Sequence, residues 1–191
     1  FHGKGAGPRE ISAALSFPGK LTQLLYQRYL TNLPGFVILA CELIPDNGQT
    51  LKKCVQKYAV MWELGDDFLD WLSESNTFCN TLVDRINTGY PKGEDLGLGY
   101  EDNMVNTSEF FHLWVIETEC DLDKELPFSS TDLNVIITRD KLEMYRTRKV
   151  RILNGAHTSL VPYALLSGFD TVKSCIDDAV MKEHVRKCVF D

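Results

Sequence analysis

The chain has 191 residues, 44% of them hydrophobic and 25% charged, which is enough to bury one sizeable core or two small ones. Twenty Lys and Arg residues stand against 27 Asp and Glu residues, giving a net charge of -7. This balance argues against a general nucleic-acid-binding surface. The longest apolar run, residues 36–41, is too short to span a bilayer, so no membrane association is expected.

Along the first half of the chain, predicted helices alternate with predicted strands. Ser16 and Pro18 cap and open a helix that ends before Pro34. A buried strand is predicted over residues 35–44, a helix over 49–64 and a shorter helix over 66–75. Residues 78–86 are expected to be extended or turning, and 87–103, rich in Gly, Pro and acidic residues, to be a surface loop.

Further strands are predicted over residues 111–118 and 133–140. After Asp140 the pattern is helical almost to the end, with interruptions near Pro162 and Gly168. The predicted fold class is therefore α/β followed by mostly α, with one domain over residues 1–140 and the start of a second over 141–191. Because the chain starts without a methionine and stops within an amphipathic pattern, we expect a piece of a longer protein.

The cysteines show no C-x-x-C pair, and most have apolar neighbours. This favours reduced, buried thiols in a cytoplasmic protein, with no disulfide framework and no metal site. The six are Cys41, Cys54, Cys79, Cys120, Cys175 and Cys188. The glycine-rich residues 3–7 lack a preceding strand and dinucleotide or P-loop spacing, so we interpret them as a mobile loop.

One predicted helix carries three unlike polar side chains. On an ideal α-helix Lys149, His157 and Asn154 fall at about 0°, 80° and 140°, within one arc. Partial burial and nearby arginines favour the neutral amine of Lys149, which can accept a proton from an alcohol. The amide of Asn154 and the ring of His157 could bind an oxygen that gains negative charge. The set suits interconversion of an alcohol and a carbonyl, although each residue could also be a solvated bystander.

The string K-x-x-x-x-N-x-x-H resembles the active-site signature of the mannitol dehydrogenase family, the polyol-specific long-chain dehydrogenases. Four other segments agree in order and spacing, so the resemblance covers nearly the whole chain from Ser16 onward: SFPGKLTQLLYQRY, CELIPDNGQTLKK, NTFCNTLVDRI and FHLWVIE. It implies the end of a Rossmann-type dinucleotide-binding domain with extra strands, then the start of a helical catalytic domain. It also implies NAD as cofactor, bound mostly by glycines upstream of this chain.

The resemblance further implies roles for individual residues. Lys149 would be the general base in alcohol oxidation and the acid in ketone reduction, while Asn154 and His157 would bind the reacting oxygen. Asp84 matches an acidic residue near the substrate, and Arg85 beside it could meet a carboxylate.

The chain departs from the family pattern after the strand predicted over residues 35–44. Members of the family have Cys-Asp-Asn where this chain has Cys41, Glu42 and Leu43, so one amide of their site is missing here. Asn47 is a candidate replacement in substrate binding. Its alternative role is that of a turn residue.

Three arginines surround Lys149 in the sequence: Arg146, Arg148 and Arg151. A guanidinium recognises a carboxylate through two parallel hydrogen bonds, which favours a sugar acid as substrate, with Arg148 as a binding candidate. Tagaturonate, reduced to altronate, is the leading expectation. A fructuronate reductase, a mannitol-type polyol dehydrogenase and a non-catalytic helical domain that binds a sugar acid or a partner protein remain alternatives. The sequence leaves the oligomeric state open.

Overall fold

The computed structural model describes residues 13–190, which form two compact units divided between Leu142 and Glu143. The glycine-rich residues 3–7 lie outside the described part. An α/β unit is followed by a helical unit, so the predicted fold class is confirmed.

The first unit alternates helices with strands. Helix α1 begins as predicted, because the hydroxyl of Ser16 accepts from the backbone N–H of Gly19 at 3.2 Å and Pro18 occupies the first turn. The elements are α1 (Phe17–Leu30), β1 (Val37–Leu39), α2 (Asn47–Met61), α3 (Asp66–Ser75), β2 (Thr77–Asp84), β3 (Asn87–Gly89), β4 (Thr107–Ser108), β5 (Leu113–Glu117) and β6 (Val135–Thr138). Two short 3-10 turns, Leu122–Lys124 and Phe128–Ser130, precede β6.

Four strands form a mixed sheet in the order β1-β2-β5-β6, and β3 pairs with β4 separately. β1 runs parallel to β2, β2 antiparallel to β5, and β5 parallel to β6. The carboxyl ends of β1 and β2 therefore lie at the same edge of the sheet. In open α/β sheets this is the edge outside which ligands bind.

Strand β1 is shorter and less buried than the sequence predicts. The expected strand over residues 35–44 is wrong in extent, since pairing covers only Val37 to Leu39 and Val37 is exposed. Beyond Ala40 the chain leaves the ladder, and the N–H of Ile44 donates to the carbonyl of Glu42 at 2.9 Å in a tight turn. The segment thus becomes a connection between β1 and α2.

Strand β2 is the most enclosed strand, although the sequence left it as extended or turning. It has eight residues and pairs with β1 on one side and β5 on the other. Its polar residues are buried because they are bonded. The hydroxyl of Thr81 donates to the carbonyl of Ala40 at 2.6 Å, and Asn80 Oδ1 accepts from the N–H of Gln49 at 3.2 Å.

The main core of this unit lies where α1, α2 and α3 pack on the sheet. Its buried members include Leu25, Val55, Phe68 and Leu72, each of which stabilises the fold by roughly 1.5–3 kcal/mol through burial. The amino end of α2 approaches β2 closely at Gly48. A Cβ there would lie 2.2 Å from the carbonyl oxygen of Cys79, so only glycine fits.

The second unit is helical. It contains α4 (Leu142–Arg148), a π-helical segment (Lys149–Asn154), α5 (Gly155–Leu166), α6 (Val172–Asp177) and α7 (Ala179–Phe190). α5 runs through Pro162, so the interruption predicted there is wrong, although a proline has no N–H to donate within the helix. The helix ends at Ser167, and Gly168 has a positive φ of 80°. Leu160, Ala164, Cys175 and Met181 form its core.

The cysteines differ in burial more than the sequence predicts. All six lie among the described residues as free thiols. Cys79 and Cys175 are buried, whereas Cys41 and Cys188 are exposed, so the expectation of general burial is wrong for these two. No helix within residues 13–190 has the length and apolar character needed to cross a membrane.

Candidate functional site

The helix that carries Lys149, Asn154 and His157 is interrupted by the π-helical segment. Residues Lys149–Asn154 form it, and the N–H of Gly155 donates to the carbonyl of Val150, five residues back. Such a turn contains more residues than an α-turn, so side chains five apart come nearer to one face. Lys149 and Asn154 are five apart. The π-helical segment therefore places Lys149 and Asn154 closer together around the helix axis than an ideal α-helix would.

The three polar residues differ in exposure and bonding. Lys149 and His157 are half-buried, while Asn154 is exposed. His157 Nδ1 lies 2.8 Å from the carbonyl oxygen of Leu153, which can only accept, so Nδ1 carries a proton. In the neutral ring Nε2 then has a lone pair and no hydrogen. The neutral ring is therefore a hydrogen-bond acceptor at Nε2, whereas the sequence suggested a donor to the reacting oxygen.

The arginines around Lys149 are not equivalent. The side chain of Arg146 is only 14% exposed, and its Nε is buried without a hydrogen-bond partner, with Glu143 Oε2 at 3.7 Å. Arg148 and Arg151 are exposed, and the guanidinium of Arg148 lies over the ring of Tyr145 at 5.2 Å. A desolvated cation with unused hydrogen-bonding capacity suits a bound carboxylate best. Arg146 thus differs in environment from Arg148, the candidate predicted from sequence.

Asp84 and Arg85 lie at the carboxyl end of β2 in the first unit. Asp84 is buried and pairs in register with Leu113 of β5, while Arg85 is exposed beyond the strand. Arg85 Nε donates to the carbonyl of Glu109 at 3.1 Å, and the carboxylate of Glu109 accepts from the N–H of Ile86 at 2.7 Å. Part of the donor capacity of Arg85 is therefore used within its own unit.

Asn47 is the clearest correction to the sequence-based site. Its side chain is buried, and Nδ2 donates to the carbonyls of Glu42 and Thr81, both at 2.9 Å. Oδ1 accepts from the N–H groups of Thr81 at 2.8 Å and Gly48 at 2.9 Å. Both amide hydrogens are thus occupied in tying the β1–α2 connection to β2. Asn47 has no donor left for a substrate oxygen, and we remove it from the candidate site.

A cleft of about 390 Å³ opens at the carboxyl end of β1. Apolar side chains of α1, β1 and α2 line most of it, with Glu42, Asn47 and Thr50 as polar members. Apolar members include Phe17, Ile38, Leu39, Leu51 and Cys54. A flat, partly apolar ring fits this lining.

The chain thus joins a unit in which strands and helices alternate to a helical unit that carries the polar set. The first unit matches the mannitol dehydrogenase Rossmann domain over residues 6–130, and the second matches the mannitol dehydrogenase C-terminal domain over residues 141–191. The chain belongs to the mannitol dehydrogenase family.

Several similar curated proteins are altronate oxidoreductases. The chain is 48% identical to that of Yersinia enterocolitica in an alignment of 184 positions that covers 92% of this chain and 38% of the relative. It is 46% identical to that of Klebsiella pneumoniae strain 342 in an alignment of 195 positions that covers 97% of this chain and 40% of the relative. The chain thus spans about two-fifths of the length of these relatives.

Two solved structures share the fold. The ternary complex of Pseudomonas fluorescens mannitol 2-dehydrogenase with NAD and D-mannitol matches with a TM-score of 0.67 and 25% identity, over 90% of this chain and 34% of that chain. A substrate-free D-sorbitol dehydrogenase matches with a TM-score of 0.70 and 23% identity, over 90% of this chain and 35% of that one. The second likeness concerns the fold alone.

Proposed function

We propose that the full-length protein is an NAD-dependent oxidoreductase that interconverts D-tagaturonate and D-altronate. The observation that carries this proposal is the set Lys149, Asn154 and His157 on one π-interrupted helix, in a chain 48% identical to a curated altronate oxidoreductase. π-Segments inside helices are frequent at functional sites. The other candidate residues support the proposal through their burial and charge.

The cleft at the carboxyl end of β1 supports the cofactor assignment. Its apolar lining fits one face of a nicotinamide ring, and Leu39 and Cys54 would contact that ring. NAD supplies the hydride acceptor in alcohol oxidation and, as NADH, the hydride donor in ketone reduction.

Lys149 would move the proton. In ketone reduction its ammonium donates a proton to the carbonyl oxygen as that oxygen becomes an alkoxide, and in alcohol oxidation the neutral amine takes the hydroxyl proton. Lys149 is half-buried, which limits the access of bulk water to its amine.

Asn154 and His157 would have complementary hydrogen-bonding roles. The exposed amide of Asn154 supplies donors for the oxygen that gains charge. His157 is fixed as an acceptor at Nε2, so we assign it to a substrate hydroxyl or to an ammonium hydrogen of Lys149, and not to the carbonyl oxygen.

A carboxylate on the substrate would account for the low exposure of Arg146 and for its Nε that has no hydrogen-bond partner. A substrate carboxylate would add hydrogen bonds to a guanidinium whose Nε has only a long ion pair with Glu143, whereas a neutral sugar would leave that ion pair as its charged contact. Asp84 and Arg85 remain candidates for the remaining substrate groups, since carboxylates accept from sugar hydroxyls and guanidinium groups donate.

The proposal is tested by assaying the full-length protein with tagaturonate and NADH. Lys149→Ala should lower turnover by orders of magnitude and leave the affinity for NADH nearly unchanged, because proton transfer and cofactor binding depend on different units. Lys182→Ala, which removes an exposed lysine of α7, is the matched control and should behave as the unmodified protein. Normal turnover of Lys149→Ala would exclude the mechanism and favour a non-catalytic sugar-acid-binding or partner-binding role.

The same assay separates the closest alternatives. A fructuronate reductase would prefer fructuronate, and a mannitol-type enzyme would prefer a neutral ketose or polyol. Mannitol is the compound in the complex of the similar Pseudomonas fluorescens enzyme, at 25% identity. The higher identity to altronate oxidoreductases makes tagaturonate the first substrate to test.

A further inference from the structure

A second cluster of reactive side chains lies where α5 packs on α7, and the proposed dehydrogenase chemistry does not use it. Ser159 lies on α5, while His184 and Cys188 are four residues apart on α7 and so share one face of that helix. Ser159 Oγ is 3.0 Å from His184 Nε2 and 3.1 Å from Cys188 Sγ, and Nε2 is 3.8 Å from Sγ. The three polar atoms thus form a compact triangle.

The hydrogen bonds of this triangle can carry a proton from the thiol of Cys188 through the hydroxyl of Ser159 to the imidazole of His184. A serine hydroxyl has one hydrogen and two lone pairs, so it can accept from the thiol while donating to the imidazole. The ring of His184 packs edge-on against Tyr163, with centroids 4.9 Å apart at 75°, which holds Nε2 toward the serine. The thiol of Cys188 therefore has a base within reach, through one hydroxyl.

We propose that Cys188 is a reactive thiol that forms mixed disulfides with low-molecular-weight disulfides. Its proton passes through Ser159 to His184, and the thiolate attacks one sulfur of the disulfide. A new S–S bond forms at Cys188 as the original S–S bond breaks, and the departing thiolate takes the proton back from His184. Cys188 is oxidised, and one half of the disulfide is reduced to a thiol.

The site fits disulfide exchange better than metal binding. Within residues 13–190 no group of three or more His, Cys, Asp or Glu side chains is placed to hold a metal ion. One thiolate and one imidazole fall short of the four ligands of a structural zinc site. Exposure of Cys188, in contrast, is what attack on a dissolved disulfide requires.

The chain supplies its own comparison thiols. Cys41 is also exposed, but its sulfur lies 3.6 Å from the carbonyl oxygen of Leu39 and 3.9 Å from the hydroxyl of Thr81, neither of which is a base for a thiol. Cys79 is buried, and burial raises the pKa of its thiol. The expected order of reactivity is therefore Cys188, then Cys41, then Cys79.

The experiment treats the full-length protein with glutathione disulfide and follows each cysteine by peptide mass spectrometry in the same samples. Cys188 should be modified several-fold faster than Cys41. His184→Gln and Ser159→Ala should each slow Cys188 and leave Cys41 unchanged, since glutamine keeps polarity without a base and alanine removes the relay.

Cys79 reports on folding in every sample, because its modification requires the protein to open. If Cys79 becomes modified in either variant, that variant is not used. The proposal is then tested only by comparing the modification rates of Cys188 and Cys41 in the unmodified protein. Modification of Cys188 no faster than that of Cys41, or an unchanged rate of Cys188 in both folded variants, would overturn the proposal.

Discussion

The imidazole of His157 donates through Nδ1 to the carbonyl oxygen of Leu153, 2.8 Å away and four residues earlier in the chain. This bond fixes the tautomer of the neutral ring and leaves Nε2 as an acceptor. Leu153 belongs to the π-helical segment. The backbone of that segment therefore determines that Nε2 of the neutral His157 ring accepts hydrogen bonds.

Substitution of His157 by the two side-chain amides tests this polarity in the full-length protein. The glutamine amide can place its oxygen where Nε2 lies, whereas that of asparagine reaches only the Nδ1 position. His157→Gln should therefore retain more kcat/KM for tagaturonate than His157→Asn, by roughly tenfold for one retained hydrogen bond of about 1–1.5 kcal/mol. An asparagine variant as active as the glutamine variant would contradict the acceptor role.

Asn47 should prove structural. Asn47→Ala leaves the carbonyls of Glu42 and Thr81 and two backbone N–H groups without their partners, and each such buried group costs about 1–3 kcal/mol. We expect a loss of at least about 2 kcal/mol in the free energy of unfolding, measured by urea denaturation, and near-normal kcat/KM in the folded fraction. Thr50→Ala, a neighbour in the same cleft, is the control. Lost turnover at unchanged stability would restore Asn47 to the substrate site.

The arginines should differ in their effect on substrate choice. Arg146→Gln should reduce the preference for tagaturonate over the corresponding neutral ketose by roughly ten- to a hundredfold, since a hydrogen bond to a charged group contributes about 1.5–3 kcal/mol. Exposed Arg148 is the matched control, and Arg148→Gln should change the ratio little. Arg85→Gln tests the remaining candidate. A larger effect at Arg148 than at Arg146 would show that burial is the wrong guide.

Periodicity in the sequence was sufficient to predict the helices of the first unit and the change from α/β to α. Periodicity failed to predict the extents of strands β1 and β2, because hydrogen bonds determine where these strands begin and end. The sequence predicts residues 78–86 only as extended or turning, yet the side chains of Asn80 and Thr81 bond to neighbouring backbone and β2 is central. The apolar residues after Leu39 looked like a strand, yet they leave the ladder in a turn.

The candidate site also has features that the sequence predicts and features that only the structure reveals. The spacing of Lys149, Asn154 and His157 was visible, but the π-helical segment was not, because six residues of side-chain pattern do not fix whether backbone bonds span four or five residues. The burial of Arg146 and the exposure of Arg148 also lay beyond the sequence. Both are arginines in one short basic run, and only packing distinguishes them.

The most direct test of the account is the ratio of kcat/KM for tagaturonate to that for the corresponding neutral ketose, measured with NADH on the unmodified full-length protein. A hydrogen bond from a largely buried arginine to a substrate carboxylate contributes more free energy than one from a solvated arginine, and a neutral ketose lacks that carboxylate. The account predicts a large ratio in favour of tagaturonate. Equal efficiency on the two substrates would contradict the sugar-acid assignment.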